Sequence, residues 1–538
     1  MATANRQATY FRSKSMTSST NLPQALFHSL RRNLFHNVVE DYSRAEPIRI
    51  KGWALLALGL MISKKVRNYK DLRIGIALPP GIAGILGNLA VLFSGKIPVN
   101  LNLTVSRESM TASLREAGIG VIISADKVKK KFPDFPWTDA FLDLGEIIEF
   151  QKSKKISLIF AAIQIICLPK VCCERFKLDQ IQNNRKEAIL LFTSGSSNQP
   201  KGVVLSDQNI LSNCEQMHSL GLFGDKMVML GNLPLFHSFG LSVGTFFPLL
   251  HGLRIVSATS PLDYKSSLRA IREGRAEVIL GTPTFLKGYL RKAKIDDFKT
   301  VRYVVAGAER SPPDLIKVWE EEHDCEYLEG YGLTETSPGL SFNLPNSGKK
   351  GGSVGKLMKG IEGRTIDPDT GKTLKEFESG VLCFRGPNVF QGYLNNPEKT
   401  KEVFSNNGWF ITGDLGRIDE DGFLFIEGRL SRFSKIGGEM VSHESVENMV
   451  TEIISGDKNT VGEILCAITG IADEAKGESL VLLTAVEIDL KSLGEKMRTK
   501  GVPNLWIPKQ IKLVDQIPVL GTGKLDLRKI KEKVTNNL

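Results

Sequence analysis

Hydrophobic positions along this chain do not keep a single period. From about Leu34 to Lys130, stretches with helical spacing alternate with short, nearly continuous apolar runs such as Arg73 to Leu78 (RIGIAL) and Gly120 to Ser124 (GVIIS). Continuous apolar runs set between helical patterns are what strands covered on both faces require, so the alternation predicts βα units on a mostly parallel sheet. The pattern returns at Ala188 to Phe192 (AILLF), Met227 to Leu233, Val278 to Gly281 and Arg302 to Ala306 (RYVVA). Each run ends near Gly, Ser or Thr, and open α/β sheets hold ligands at the carboxyl ends of their strands. Between Gly351 and Phe425, brief strand-like runs are separated by Gly, Asn, Asp and Pro, which predicts a small β-rich subdomain. Beyond Gly428 the pattern is mixed α+β.

The expected architecture is therefore α/β. A disordered tail (1–22) precedes a large N-terminal domain of α/β sheets (23–428), with its β-rich subdomain at about 351–427, and a small α+β C-terminal domain (429–538) follows. The stretch Gly428 to Ser431 is the candidate hinge. At 538 residues the chain is too long for one core. Its 42% hydrophobic and 24% charged residues exclude both a disordered chain and a polytopic membrane protein.

Charge narrows the partners. Seventy Lys and Arg against 59 Asp and Glu give +11, favouring an anionic partner such as a nucleotide, an acidic protein or a membrane surface; no nucleic-acid partner is expected. Seven cysteines, an odd number without metal-type spacing, fit a reducing, cytoplasmic setting. Cys167, Cys172 and Cys173 read as buried thiols rather than ligands. The Ser-, Thr- and Arg-rich segment before Glu40 has transit-peptide composition, but Arg31 and Arg32 already fall in the first expected helix, so a disordered tail is preferred. The apolar runs Trp53 to Ile62 and Ile156 to Pro169 are shorter than the roughly 20 residues of a spanning helix. The second follows Lys152, Lys154 and Lys155 and would suit the inner face of a membrane, although a buried core helix is the preferred expectation.

Candidate chemistry begins at Thr193 to Gly202 (TSGSSNQPKG), where Thr193, Ser194, Gly195, Ser196 and Ser197 follow an apolar strand and precede Lys201. Glycine lets backbone N–H groups turn toward a phosphate, hydroxyls donate further hydrogen bonds, and lysine adds positive charge. The spacing is not that of a Walker loop. Taken alone, a surface turn remains open. Further along come Tyr331 to Glu335 (YGLTE), Trp409 to Asp414 (WFITGD), Gly428 to Glu439 and Gly521 to Asp526 (GTGKLD).

In this order and at these separations, from about residue 34 to 532, the set resembles the adenylate-forming superfamily of acyl-CoA synthetases, nonribosomal-peptide adenylation domains and luciferases. The stretches Leu233 to Gly240 (LPLFHSFG), Tyr303 to Glu309 (YVVAGAE), Leu328 to Thr336 (LEGYGLTET) and Arg432 to Glu447 (RFSKIGGEMVSHESVE) are similar to the acyl-acyl carrier protein synthetase half of the bifunctional acylglycerophosphoethanolamine acyltransferase.

The resemblance implies ATP and Mg²⁺ as cofactors, with a carboxylate attacking the α-phosphate and cations neutralising the charge that builds. It assigns Glu335 to Mg²⁺, Thr334 to the α-phosphate, Lys524 to the carboxylate and bridging oxygens, and His237 to the wall between nucleotide and acyl pocket. Tyr331 would stack on adenine, while Gly307, Ala308, Glu309, Gly330 and Gly332 complete the nucleotide-binding set. Asp414, assisted by Arg429, would accept hydrogen bonds from the ribose hydroxyls. The C-terminal domain is expected to be mobile, turning about Ser431 so that Lys524 withdraws and Gly437 and Gly438 reach the thiol tunnel.

Two positions depart from the family's pattern. Asn198 replaces a usual glycine, and Ser431 with Arg432 stands where an aspartate is common, adding positive charge where an acidic carrier protein would dock. The first expectation is an ATP-dependent long-chain fatty acid:acyl carrier protein ligase, the second a fatty acid:CoA ligase. The third is an inactive scaffold that binds acyl chains or nucleotides.

Overall fold

The structure, a computed structural model, describes residues 21–153, 155–193, 200–294, 296–345, 348–455, 464–473, 476–519 and 525–535. The described residues fall into two compact units. The first takes in those up to Thr193, Pro200–Ile361 and Arg385–Glu402; the second holds Glu362–Phe384 and those from Val403 onward.

Unit 1 is built on two sheets. In the larger, the strands Glu326–Gly332, Tyr303–Ala306, Val278–Gly281, Val228–Leu230, Arg254–Ser257 and Asn37–Asp41 lie parallel in that spatial order. Antiparallel strands close its edges, Gly339–Phe342 and Lys356–Leu357 on one side and Ile48–Lys51 on the other. The second sheet runs Ala140–Asp143, Val121–Ser124, Arg73–Ile76, Ile97–Asn100, Ile189–Thr193 and Lys201–Leu205, antiparallel only in its last pair. The apolar runs singled out in the sequence are these strands, and Val278–Gly281 is buried at every position, as strands covered on both faces require. Beneath the larger sheet, Trp319, Phe298, Tyr289 and Tyr327 form an aromatic-rich core.

Helix Asp207–Ser219 starts with a capping box between Ser206 and Asn209. Its first residue, Asp207, is fully buried and accepts hydrogen bonds from the Leu22 and Arg185 backbones and from the Arg185 guanidinium. One carboxylate thereby pins Leu22 at the start of the first helix, the approach to strand Ile189–Thr193 and a helix N-terminus.

The run Ile156 to Pro169 departs from its preferred expectation of a buried helix. Helix Lys155–Cys167 buries Ala161, Gln164 and Ile165, and Arg31 Nε donates to the Ile165 carbonyl. Its other side leaves Ile156, Ile159, Phe160 and Ile163 exposed. The helix is apolar all round yet packs on one side only. Trp53 to Ile62 does lie in a well-buried helix, Gly52–Arg67. Cys172 is buried and its thiol pushed up to about 12 by loss of hydration, whereas Cys167 is exposed and Cys173 half-buried, against the expectation of three buried thiols. Among the described residues, no helix is long and apolar enough to cross a membrane.

Unit 2 holds a four-stranded sheet in the order Glu362–Ile366, Gly380–Arg385, Phe410–Ile418 and Leu424–Arg429. A second sheet runs Glu439–Ser442, Phe433–Ile436, Gly477–Thr484 and Cys466–Asp473, with Gln510–Leu513 pairing to Gly477–Thr484. Helices His443–Ser455 and Leu490–Thr499 pack on it through Val446, Val450, Leu493 and Met497. Of the β-rich stretch, residues 362–384 and those from 403 onward group with the C-terminal residues, while those up to 361 and 385–402 belong to unit 1. A hinge at 428–431 concerns motion, and stays a proposal.

Candidate active site

Two strand ends and two loops bring the chemistry of unit 1 together. Strand Tyr303–Ala306 delivers Gly307, Ala308 and Glu309; strand Glu326–Gly332 beside it delivers Gly330, Tyr331 and Gly332, then a single 3₁₀ turn, Thr334–Thr336. Ala308 adopts a left-handed backbone, φ 68°, which turns the chain sharply off the strand end. A side chain at Gly332 would meet the Pro338 carbonyl oxygen at 1.9 Å, so only glycine allows the chain to fold back there. The Phe239 ring lies beside Gly307, 3.6 Å from where a β-carbon would stand.

His237 and Ser238 precede a wide π-helical turn, Phe239–Phe246. His237 is exposed, its ring 4.6 Å from that of Phe236. Ser238 is buried, and its hydroxyl lies 3.5 Å from that of Thr334. Glu335 is half-buried; its Oε1 accepts a hydrogen bond from the Tyr393 hydroxyl at 2.9 Å. The Tyr393 ring in turn faces the Lys201 ammonium at 5.5 Å. Lys201 begins the strand that pairs with Ile189–Thr193, Thr193 opposite Lys201, so the two ends of the hydroxyl-rich loop are fixed side by side. Ser194, Gly195, Ser196, Ser197 and Asn198 lie outside the described residues.

A continuous path of contacts therefore runs from Lys201 through Tyr393 and Glu335 to Thr334 and Ser238. Tyr393 is not apparent from sequence. It sits in Gly386 to Asn396 (GPNVFQGYLNN), which reads only as turn material. That loop is stitched to the Glu335 turn: Phe390 N–H donates to the Glu335 carbonyl at 2.7 Å, and buried Asn388 Nδ2 donates to the Thr336 and Gly339 carbonyls. Asn209 holds the loop from behind through the Pro387 and Val389 carbonyls.

Charge near the strand ends is managed unevenly. Burial pushes the Glu329 carboxyl above its ordinary value, although Ser311 hydrogen bonds oppose the shift. Glu309 accepts from the Thr284 N–H and hydroxyl, at 3.2 and 2.7 Å. This carboxylate braces the turn after Tyr303–Ala306.

In unit 2, Asp414 and Arg429 face each other across paired strands, and Arg429 Nε lies 3.0 Å from Asp414 Oδ1. Asp414 is buried, Arg429 mostly exposed. Ser431 falls in a 3₁₀ turn, Leu430–Arg432, joining the two sheets. Arg432 does not offer docking charge: its guanidinium is 13% exposed and pairs with the buried Glu447, so the expected carrier-protein contact at this residue is not available. Gly437 and Gly438 form the two-residue turn of a hairpin, with Ile436 opposite Glu439 and φ of 59° and 90°. Both central residues of such a turn need positive φ, which accounts for two glycines. Lys524 lies outside the described residues.

The donor set of unit 1 fits a nucleotide with its cation. It offers the Lys201 ammonium, the Tyr393, Thr334 and Ser238 hydroxyls, the Glu335 carboxylate and side-chain-free backbone at the strand ends. Mg²⁺ is commonly held by one or two carboxylates plus substrate phosphates and water rather than by a protein cage. Among the described residues no cluster of three His, Cys, Asp or Glu is set to hold a metal. Glu335 is the carboxylate that would take the ion.

An α/β fold with this strand-end constellation suits a nucleotide-using enzyme, and the comparison with known proteins specifies the family. A profile of the AMP-binding enzyme family matches residues 54–394, and the chain belongs to that family. Its class is acid–thiol ligation with ATP and Mg²⁺. The chain is 26% identical over 493 residues to a long-chain-fatty-acid–CoA ligase of Bacillus subtilis (strain 168), spanning 86% of each chain. It is 26% identical over 523 residues to the mitochondrial medium-chain acyl-CoA ligase of Homo sapiens, spanning 90% of this chain and 81% of the other. Among solved structures, O-succinylbenzoate coenzyme A synthetase of Bacillus subtilis with ATP and magnesium superposes with a TM-score of 0.76 over 94% of this chain and 99% of that one, at 21% identity.

Proposed function

We propose that this protein condenses a long-chain fatty acid with ATP to an acyl-adenylate, expelling pyrophosphate, and passes the acyl group to a pantetheine thiol, releasing AMP. The observation that carries this reading is the path Lys201–Tyr393–Glu335–Thr334–Ser238, which gathers a cation, a carboxylate and three hydroxyls. Thr334 donates to the α-phosphate as the fatty carboxylate attacks, and Lys201 with Thr193, Ser194, Gly195, Ser196 and Ser197 holds the departing phosphates. Glu335 would hold Mg²⁺, which would supply neutralising charge. Tyr331 lies flat on adenine, with Gly307, Ala308, Gly330 and Gly332 giving the base close access to backbone and Glu309 keeping its turn in shape.

Asp414 accepts from the ribose hydroxyls, with Arg429 fixing its carboxylate. Lys524 bridges the carboxylate and phosphate oxygens in the first step, and His237 walls the acyl pocket. Turning at Ser431 then removes Lys524 and brings the Gly437–Gly438 hairpin to the thiol arm.

Coenzyme A is the acceptor we favour, because relatives matching along most of their length are named CoA ligases. Holo acyl carrier protein is the second reading, supported by the likeness of LPLFHSFG, LEGYGLTET and RFSKIGGEMVSHESVE to an acyl carrier protein synthetase. Work in the cytoplasm and at the inner membrane face, where fatty acids partition, fits either acceptor. The test is thioester formation from palmitate and ATP with each acceptor supplied separately. Thioester on CoA alone removes the second reading; thioester on neither, without palmitate-dependent pyrophosphate release, overturns the function.

A further inference from the structure

We propose that the outer face of helix Lys155–Cys167, with the segment that follows it, is a docking surface for an anionic lipid bilayer. The inference gives a site to the membrane association proposed above and rests on that reading only for its purpose. Within the helix, Ile156, Ile159, Phe160 and Ile163 fall at the spacing of one face and are 85%, 59%, 51% and 49% exposed. Leu168 and Val171, at 51% and 42%, carry the apolar surface onto the next helix, Pro169–Arg175. Contiguous apolar surface of this kind is rare on a monomer without a partner.

The opposite side of the helix is already engaged. Ala161, Gln164 and Ile165 are buried, and the Arg31 and Arg175 side chains hydrogen-bond to Ile165 and Gln164 respectively. The exposed face is thus not left over from a loosely packed helix.

Charge selects the occupant. From Ile156 to Pro169 there is no charged residue, while residues 152–179 carry Lys152, Lys154, Lys155, Lys170, Arg175 and Lys177 against Glu174 and Asp179. Lys170 is exposed, and the Arg175 guanidinium sits 4.9 Å over the Phe160 ring, at the margin of the apolar face. A second protein copy would bring the same positive charge to the contact. An anionic bilayer takes the apolar side chains into its acyl boundary and pairs the basic margin with head groups. Thirteen residues are too few to span, so the helix lies in the plane of the interface.

The experiment is co-sedimentation of the full chain with vesicles of phosphatidylcholine alone and of phosphatidylcholine mixed with phosphatidylglycerol. Binding is expected to the mixed vesicles, weakening as salt rises. The triple variant Ile159→Ser, Phe160→Ser, Ile163→Ser should bind them on the order of tenfold more weakly or not at all, and Lys170→Glu should weaken binding while leaving the apolar face whole. All four positions are exposed, so unchanged thermal melting certifies the fold. No binding to the mixed vesicles, or equal binding by the triple variant, overturns the proposal. So does a wild-type dimer in sedimentation equilibrium that the triple variant dissolves without any vesicle binding. Palmitate-independent vesicle binding together with absent adenylation would instead sink the ligase reading and leave this one standing. Pyrophosphate exchange with palmitate carried on albumin, away from vesicles, should be equal in the wild type and the two variants, because the acid is then met in solution.

Discussion

Tyr393→Phe removes one oxygen and leaves the ring that Lys201 faces. The lost hydroxyl donates to Glu335 Oε1 at 2.9 Å, and a hydrogen bond to a charged acceptor contributes about 1.5–3 kcal/mol. Both residues are half-buried, so water recovers part of this and the lower end, about 1.5 kcal/mol, applies. Very little of it concerns folding, because the loop is held independently by Asn388, Asn209 and the Phe390 N–H. The expectation is that Tyr393→Phe raises the Mg²⁺ concentration for half-maximal pyrophosphate exchange by about tenfold, since 1.4 kcal/mol is a factor of ten. The KM for fatty acid and the melting temperature should hardly move. Tyr393 is a positioning residue acting through Glu335, and the Mg²⁺ midpoint is the readout that a purely structural role would leave alone. An unchanged midpoint, with activity lost in proportion to stability, refutes the assignment. Tyr393→Ala should be worse, since it also removes the ring facing Lys201 and the edge contact with Phe390.

Other predictions test separate parts of the molecule. Asp207→Ala leaves Arg185 buried without its carboxylate and should cost about 3–5 kcal/mol in denaturant unfolding; a loss below 1 kcal/mol would contradict the anchor. His251 stacks on His218 at 4.2 Å, and burial lowers its pKa to about 3, so below pH 6.5 the unfolded chain takes up a proton that the folded state refuses. Stability present above pH 6.5 is lost as pH falls toward 3. Between pH 7 and 5 this amounts to about 2 kcal/mol, which His251→Phe should abolish in paired unfolding curves. Gly438→Ala meets no neighbouring atom but forces φ 90° on an L residue, so unit 2 should lose about 1 kcal/mol. Its thioester-forming step should slow more than its adenylation step. Lys524→Ala should remove palmitate-dependent pyrophosphate release while leaving the melting curve in place.

The strands were legible because covered parallel strands must be apolar at nearly every position, and Val278–Gly281 or Tyr303–Ala306 follow that rule almost to the residue. Gly332 was legible as a turn residue for the complementary reason that a chain folding back on the Pro338 carbonyl leaves no room for a side chain. Tyr393 was not. Its role arises from a contact across 58 residues between a turn-rich loop and a 3₁₀ turn, and nothing local distinguishes it from other loop aromatics. Helix Lys155–Cys167 misled for a different reason. An all-round apolar sequence reads as buried, and periodicity cannot tell one protein neighbour from two. Arg432 shows the same limit for charge, since the sequence around the Leu430–Arg432 turn does not reveal that Glu447 turns the guanidinium inward.

The excursion of residues 385–402 into unit 1, with unit 2 on both sides of it in the chain, has a practical meaning for anyone cutting or recombining this protein. A protease nick near residue 361 would not free the downstream part, because the chain returns to unit 1 to lay Asn388 and Tyr393 against the Glu335 turn. A chimera that exchanges only the residues after 428 keeps strands Phe410–Ile418 and Leu424–Arg429 from one parent and gives them the other parent's partner sheet. One that exchanges 362–384 together with everything from 403 onward moves an intact folding unit, and returns the host's own loop to its own glutamate.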